Sequence, residues 1–228
     1  MDESRQYETS ECVPASKWIF NSLVEACERN EAESIARLYR SLSGSPLAAT
    51  LRGFLLEILV LKSLDDIKSD ANLKIRGLTD ANQKNWVYHG PIPRFTFRRS
   101  EFTTKINEAV EENKPVHLVP SFHNLEAVDS IVYHPKDPIL TCVHVTMNPD
   151  HPISVPGLQN IQKWLQLGSP SAKLRPKSSR RWRFVLIVPE HMMDTYKLQK
   201  FINDTPGNAW AEKVDQYVMG TESGSLLT

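Results

Sequence analysis

Apolar residues recur every three or four positions along the first quarter of the chain, a spacing that places them on one face of a helix. The pattern predicts helices over residues 17–28 and 31–42, and the second of these should end before Gly44. A longer helix is predicted over residues 46–64, because the proline at its start suits a first helical turn. Most faces of this helix are apolar, so we expect it to be buried.

After residue 72 apolar and polar positions alternate, and this period of two is typical of strands. Short strands are predicted at 73–76, 86–88 and 95–97, and longer ones at 127–133, 139–147 and 183–188. Further helices are predicted at 102–112, 158–167 and 209–219, with a frayed tail after them. The order of elements predicts an α/β fold, bordering on α+β, in which helices flank a small mixed β-sheet.

Composition narrows the class of protein. The 228 residues include 27 basic and 27 acidic side chains, and 40% are hydrophobic. Such a chain can bury a core, which excludes a wholly disordered polymer. Because no apolar run reaches roughly 18 residues and the first ten residues are polar, we expect neither a membrane partner nor a signal peptide. Three cysteines without C-x-x-C spacing favour a reducing compartment, and Cys142 lies in an apolar run that predicts a buried, inert thiol.

The charges are unevenly distributed along the chain. Residues 173–183 contain six basic side chains and no acid, namely Lys173, Arg175, Lys177, Arg180, Arg181 and Arg183. This basic cluster is typical of a surface that binds a polyanion, and we take the first five as candidate nucleic-acid contacts. It also has the composition of a nuclear address. A solvated loop before a strand explains the cluster equally well.

Several common catalytic motifs are absent from the sequence. The chain has no G-x-x-x-x-G-K-[ST] phosphate loop and no G-x-G-x-x-G, so we expect no nucleotide cofactor of those kinds. It has no G-x-S-x-G elbow, which removes the best sequence sign of an α/β-hydrolase.

Two acids interrupt apolar segments. Glu57 falls within the predicted buried helix, and Asp129 falls within the strand predicted at 127–133. Burying an ionised carboxylate costs several kcal/mol unless a partner or a metal compensates for it. The two acids are therefore candidates for a shared Mg²⁺ site, since Mg²⁺ is bound by one or two carboxylates with water and phosphate oxygens. Alternatively, Glu57 pairs with Arg52 or Lys62, and Asp129 is an ordinary turn or strand-edge acid.

Five segments in order along the chain resemble one family. They are SPLAATLRGFLLE at 45–57, VPSFHNLEAVDSI at 119–131, VHVTMNPDHPI at 143–153, WRFVLIVP at 182–189 and WAEKVDQYVMG at 210–220. Together they resemble the restriction-endonuclease-like domain of Crinkler effectors and retrotransposon hot spot proteins. The resemblance covers residues 45–220. It leaves 1–44 as an N-terminal helical cap or remnant of the NTPase that often precedes this domain, and 221–228 as a flexible tail.

The resemblance implies a PD-(D/E)xK nuclease-like core that acts on or binds DNA with Mg²⁺ or Mn²⁺. Glu57 takes the position of the helical acid and Asp129 that of the metal-binding aspartate. His144 stands where the family has Glu or Gln, and Thr146 where active nucleases have Lys, so these two complete the candidate catalytic set. Thr146 supplies no positive charge, so whether the chain is an enzyme stays open.

The alternative is an inactive effector-type module that binds nucleic acid or a host protein. For this family we expect action in a nucleus, possibly that of a host, and otherwise in the cytoplasm.

Overall fold

The computed structural model describes residues 32–42, 49–79, 83–121, 125–203 and 209–221. Within these ranges the α-helices are α1 (Ala32–Ser41), α2 (Ala49–Asp66), α3 (Phe102–Glu111) and α4 (Val155–Trp164). They confirm the helices predicted from residues 31, 46, 102 and 158. The helix predicted at 17–28 and the tail after residue 221 lie outside the described residues. Among the described helices, none is long and apolar enough to cross a membrane.

Eight strands form one sheet and two short strands form another. The strands are β1 (Ala71–Gly77), β2 (Gln83–Tyr88), β3 (Arg94–Phe97), β4 (Val116–Pro120), β5 (Ser130–His134), β6 (Asp137–Val145), β7 (Ile153–Ser154), β8 (Trp182–Pro189), β9 (Phe201–Ile202) and β10 (Val214–Thr221). The large sheet has the order β2-β1-β10-β8-β6-β5-β4-β3, and β7 pairs with β9. Its pairs are both parallel and antiparallel, so the sheet is mixed. The mixed α/β character was predicted correctly, but the prediction of a small sheet was wrong.

The predicted helix at 209–219 was also wrong. This segment forms a short 3₁₀ helix, Trp210–Glu212, and then strand β10. Val214, Gln216 and Val218 are buried at every second position, and β10 lies between β1 and β8 in the sheet. Both edges of β10 therefore find backbone partners, and this tertiary pairing outweighs a local helical pattern. The sequence analysis also did not predict β4. This strand is buried at four of its five positions, so it lacks the alternation of apolar and polar residues by which strands were predicted.

Two apolar layers cover the opposite faces of the sheet. On one face α2 packs against Val143, Val145 and Val185, together with residues of α1, β1 and β2. On the other face α3 and α4 pack against Cys142 and Leu186. Alternate residues of β6 thus enter different layers, as the period of a strand requires. Because β1 and β2 share a layer with β5 and β6 although they lie apart in the strand order, the sheet curls around α2.

The candidate site is positioned by elements that are not all consecutive along the chain, because β1, β2, β3 and α3 lie between α2 and β4. Helix α2 precedes the antiparallel strands β4, β5 and β6, which are followed by α4 and then by β8, parallel to β6. The end of β6 lies beside the start of β5, because Ser130 is in register with Val143. Residues before β5 and residues at the end of β6 are consequently neighbours.

Candidate functional site

Asp129 lies in the turn that leads into β5 and ties this turn to β6. Its backbone N–H donates to the carbonyl of Val143 at 2.9 Å. Its side-chain Oδ2 accepts the N–H of Val145 at 2.6 Å. The acid that seemed to interrupt a buried strand is therefore a turn residue whose carboxylate holds the end of β6. The strand itself begins one residue later than Asp129 because residues 126 and 127 form a turn.

His144 on β6 is directed at the same carboxylate. Its Nδ1 lies 3.2 Å from Oδ2 of Asp129, and the two side chains are only 13% and 18% exposed. The distance suits an ion pair, but within the described residues Nδ1 has no hydrogen-bond partner of good alignment. Oδ2 is already engaged by the Val145 amide. A buried polar atom left in this way costs about 1–3 kcal/mol, so the arrangement needs an explanation.

Glu57 reaches this region from α2. Its carboxyl group is half-buried and, within the described residues, has no ion pair or hydrogen bond, so the alternative pairing with Arg52 or Lys62 is not found. Burial raises the pKa of Glu57 to about 8, and the negative charge of Asp129 adds to the increase, against the smaller effects of His144 and Arg94. The structure thus brings together Glu57, Asp129 and His144, which are far apart in sequence.

The pKa values of the two imidazoles of the site, His144 and His151, are shifted in opposite directions. Burial alone would lower the pKa of His144, but the carboxylates of Asp129 and Glu57 outweigh it and raise this pKa. His151 stacks on His144 with ring centroids 4.2 Å apart and planes inclined by 26°. Burial lowers the pKa of His151, and the neighbouring His144 lowers it further. The site therefore combines two carboxyls with two imidazoles of unequal basicity.

The loop that carries His151 is clamped by residues that sequence reasoning missed. The backbone N–H of His151 donates to Oε1 of the buried Gln199 at 2.6 Å. Nε2 of Gln199 donates to the carbonyl of Pro149, and the Tyr196 hydroxyl donates to the carbonyl of Asn148. Gln199 is in turn held by Gln216 of β10 through two hydrogen bonds. No motif marks these polar residues, because their role depends on contacts between distant segments.

Thr146 has a structural position. Its side chain is buried, and its Oγ1 accepts the N–H of Asn148 at 3.0 Å. Its own N–H donates to the carbonyl of Ile187 on β8. The hydroxyl therefore caps the turn after β6 and adds no charge to the site.

A second polar group lies further along the same helix. Oδ1 of Asp65 lies 3.1 Å from Nδ1 of His117, and Oδ2 accepts from Nη1 of Arg94 at 2.8 Å. Burial raises the pKa of Asp65, but these hydrogen bonds outweigh it and leave the pKa lowered. Arg94 is thus already paired, although its charge still acts on Glu57.

The groups of the site that could bind a cation are its carboxyls. Within the described residues, no group of three or more His, Cys, Asp or Glu side chains is arranged to hold a metal ion. Two carboxylates are nevertheless the usual protein contribution to a Mg²⁺ site. Glu57 and Asp129 are two such groups whose mutual repulsion a divalent cation would relieve. In this respect their chemistry fits the ion that the resemblance implies.

The basic cluster lies away from these residues. Arg175 donates to the carbonyls of Gln162 and Leu165, and Arg180 donates to the carbonyl of Arg175. Lys173 and Lys177 are both exposed.

Arg181 of the cluster is used within the protein as well. It donates to the carbonyl of Val214 and pairs with Asp215. Leu186 is in register with His144, so Arg181 is separated from the site by five residues of strand, about 16 Å. Of the candidate nucleic-acid contacts, Arg181 is therefore not in contact with the candidate catalytic residues.

Comparison of the chain with protein-family models, curated proteins and solved structures finds no match.

Proposed function

We propose that this protein is a nuclease-like domain of the PD-(D/E)xK type, which binds DNA phosphates through a divalent cation held by Glu57 and Asp129. The observation that carries the proposal is that Asp129 lies close enough to Glu57 for its negative charge to raise the pKa of this half-buried carboxyl, although 71 intervening residues separate the two in sequence. Two acids rarely share a site of low dielectric without a cation or a proton between them. A Mg²⁺ or Mn²⁺ ion would meet this requirement.

The arrangement of elements supports the same proposal. Helix α2 supplies Glu57, the turn before β5 supplies Asp129, and the end of β6 supplies His144. The resemblance assigns the three motifs of the nuclease core to these three places. Helices α2 and α4 cover opposite faces of the strands between them, as expected for such a core.

Each residue has a distinct role in the proposed site. Asp129 binds the cation and fixes the end of β6 through the Val145 amide. Glu57 supplies a second carboxylate once the cation displaces its proton. A bound divalent cation lowers the pKa of a water molecule and offsets charge on a phosphate. His144 lies against Asp129, with its Nδ1 3.2 Å from Oδ2.

Gly53 leaves room for a substrate beside Glu57. It lies one helical turn before Glu57, and a Cβ built on it would meet no atom within 4 Å. The surface of α2 is therefore open at this position. We expect that a large side chain at this position would obstruct it.

An inactive binding module is the second candidate. It is favoured by the position of Thr146, which replaces the usual lysine and uses its hydroxyl to cap a turn. Without that lysine the site lacks a charge that commonly stabilises the reacting phosphate, a loss typically of several kcal/mol in the barrier. Such a module would bind nucleic acid or a host protein, and the basic cluster is consistent with action in a nucleus.

Cleavage of labelled DNA and RNA with Mg²⁺ or Mn²⁺ tests the proposal. Asp129→Asn and Glu57→Gln should each reduce cleavage by at least a hundredfold, because both remove a charge that holds the cation. Asp150→Asn and Glu111→Gln are matched controls on exposed acids and should retain activity.

If wild type and Asp129→Asn are equally inactive on every substrate while both bind DNA equally, the second candidate replaces the first. If neither protein cleaves DNA but wild type binds it more tightly than Asp129→Asn in the presence of the cation, the cation site stands and catalysis does not.

A further inference from the structure

The contact between His144 and Asp129 bears on which cation the site would bind. Among the described residues Nδ1 has no well-aligned hydrogen bond, although it is buried and faces the carboxylate of Asp129. In the neutral imidazole one nitrogen carries a lone pair, and a metal ion is the common partner of such an atom.

The spacing of the two atoms fits a shared ion. Two donor atoms that are each about 2.1 Å from one metal ion, at an angle of 90–109°, are about 3.0–3.4 Å apart. Nδ1 of His144 and Oδ2 of Asp129 are 3.2 Å apart. Oδ2 can keep the N–H of Val145 at the same time, because a carboxylate oxygen has two lone pairs.

The imidazole of His144 is held in this orientation by the stacked ring of His151. His151 stacks on its ring, and the backbone of His151 is fixed by Gln199. A ligand that is oriented before binding loses less entropy when the ion arrives. The stacked ring therefore has a mechanical role that does not require it to touch the ion.

We propose that Asp129 and His144 bind one divalent ion of the borderline class, such as Mn²⁺ or Zn²⁺, in preference to Mg²⁺. Imidazole nitrogen suits these ions, whereas Mg²⁺ favours oxygen ligands. This inference rests on one part of the proposed function, namely that a cation binds at Asp129. It adds the chemical class of that cation. Water molecules are available for the remaining positions.

Pulsed electron paramagnetic resonance of the full chain with one equivalent of Mn²⁺ tests the ligand directly. The wild-type protein should show modulation from a directly bound ¹⁴N nucleus, and this measurement needs no variant that has to fold. His144→Gln should lose the modulation. His151→Phe keeps a stacking ring but has no nitrogen, and it should retain the modulation.

Calorimetric titrations with Mg²⁺ and Zn²⁺ provide a second readout. His144→Gln should lower the affinity for Zn²⁺ at least tenfold and change the affinity for Mg²⁺ less than threefold. His144→Glu should raise the affinity for Mg²⁺ relative to that for Zn²⁺. Circular dichroism of each variant in EDTA checks that it is folded.

Absence of ¹⁴N modulation in wild type would overturn the inference, and so would modulation that persists in His144→Gln or disappears in His151→Phe. These results are independent of cleavage. If the protein binds Mn²⁺ through nitrogen but cleaves no substrate, the inference about the ligand stands and the proposed nuclease activity is wrong. If the protein cleaves DNA but shows no nitrogen ligand, the nuclease proposal stands and the inference about the ligand is wrong.

Discussion

Gly157 of α4 lies so close to Ala127 that a Cβ built on the glycine would be 2.7 Å from the Cβ of the alanine. Ala127 belongs to the turn that carries Asp129 two residues later. We expect Gly157→Ala to push this turn away from α4 and to destabilise the protein by about 1–3 kcal/mol, as overpacking of a core does. Chemical denaturation measures the loss, and cation affinity should fall with it because Asp129 moves.

Gly53→Ala is the matched control for this prediction. Gly53 also lies within a helix, but nothing is within 4 Å of its built Cβ. Replacing a helical glycine with alanine at an open position should stabilise the protein by about 0.5–1 kcal/mol. Equal effects of the two substitutions would mean that the contact between Gly157 and Ala127 does not constrain the turn.

The stability of the cation-free protein should depend on the protonation of Glu57. Its pKa is about 8 in the folded protein, against an ordinary value of 4.5, so the folded state keeps a proton that the unfolded chain has lost. The contribution of Glu57 to the free energy of unfolding should therefore be complete below pH 4.5 and should decrease as the pH rises to 8, by up to about 1.4 kcal/mol per unit. Urea denaturation in EDTA at several pH values measures this slope.

Glu57→Gln should flatten much of that slope, because glutamine resembles the protonated acid and does not titrate. His144, whose pKa is also raised, adds a fall of the same sign above pH 6.5 that the variant keeps. Parallel slopes for wild type and variant would show that Glu57 is ionised in the folded protein at neutral pH.

The sequence was sufficient to select three residues that the structure brings together. Glu57 was recognisable because an acid within an apolar helix is costly, and Asp129 was recognisable for the same reason in an apolar segment. His144 required the resemblance, since its surroundings on β6 do not distinguish it. What remained hidden was the turn before β5, which makes Asp129 a capping residue.

The large sheet was harder to predict than the helices. Strand β10 has apolar residues at a spacing that also suits a helix, and only its place between β1 and β8 decides the matter. The clamp by Gln199 had no sequence signal at all, because polar residues are ordinary in loops. Local pattern fixes elements that bury one face, whereas the strands of this sheet and its polar clamp depend on partners far along the chain.

Thr146 should contribute to stability through its hydroxyl. Thr146→Val keeps the shape of the side chain but removes the acceptor of the Asn148 N–H. We expect a loss of about 1 kcal/mol, the usual net value of one hydrogen bond, and a smaller loss for Thr146→Ser. Thermal denaturation compares the two variants. A Thr146→Val protein of unchanged stability but altered cleavage would instead assign the hydroxyl to the reaction.

Cys142 should be unreactive in the native protein. It is fully buried on β6, and burial raises the pKa of its thiol to about 12, so hardly any reactive thiolate forms at neutral pH. In a Cys12→Ser/Cys27→Ser background, labelling by a disulfide reagent should follow the rate of unfolding and should accelerate with urea. Rapid labelling without denaturant would show that the strand opens locally.

The basic cluster separates into structural arginines and free lysines, and this difference gives the sharpest test of a nucleic-acid partner. Arg175 donates to the carbonyls of Gln162 and Leu165 at 2.6 and 2.8 Å, so Arg175→Ala should destabilise the protein by about 1–3 kcal/mol whether or not DNA binds. Lys173→Ala/Lys177→Ala should leave stability within about 0.5 kcal/mol. If both lysines contact phosphates, the double variant should lower the slope of log affinity against log salt by about 1.8.

Fluorescence anisotropy with a labelled duplex at four salt concentrations measures this slope. Lys105→Ala/Lys114→Ala removes the same charge from side chains that pair with Glu108 and Glu112, and it should leave the slope unchanged. A Lys173→Ala/Lys177→Ala protein with the wild-type slope would mean that DNA does not contact the cluster. Its arginines would then serve the fold alone, and any nucleic acid would have to bind at the carboxyl site, about 16 Å away along β8.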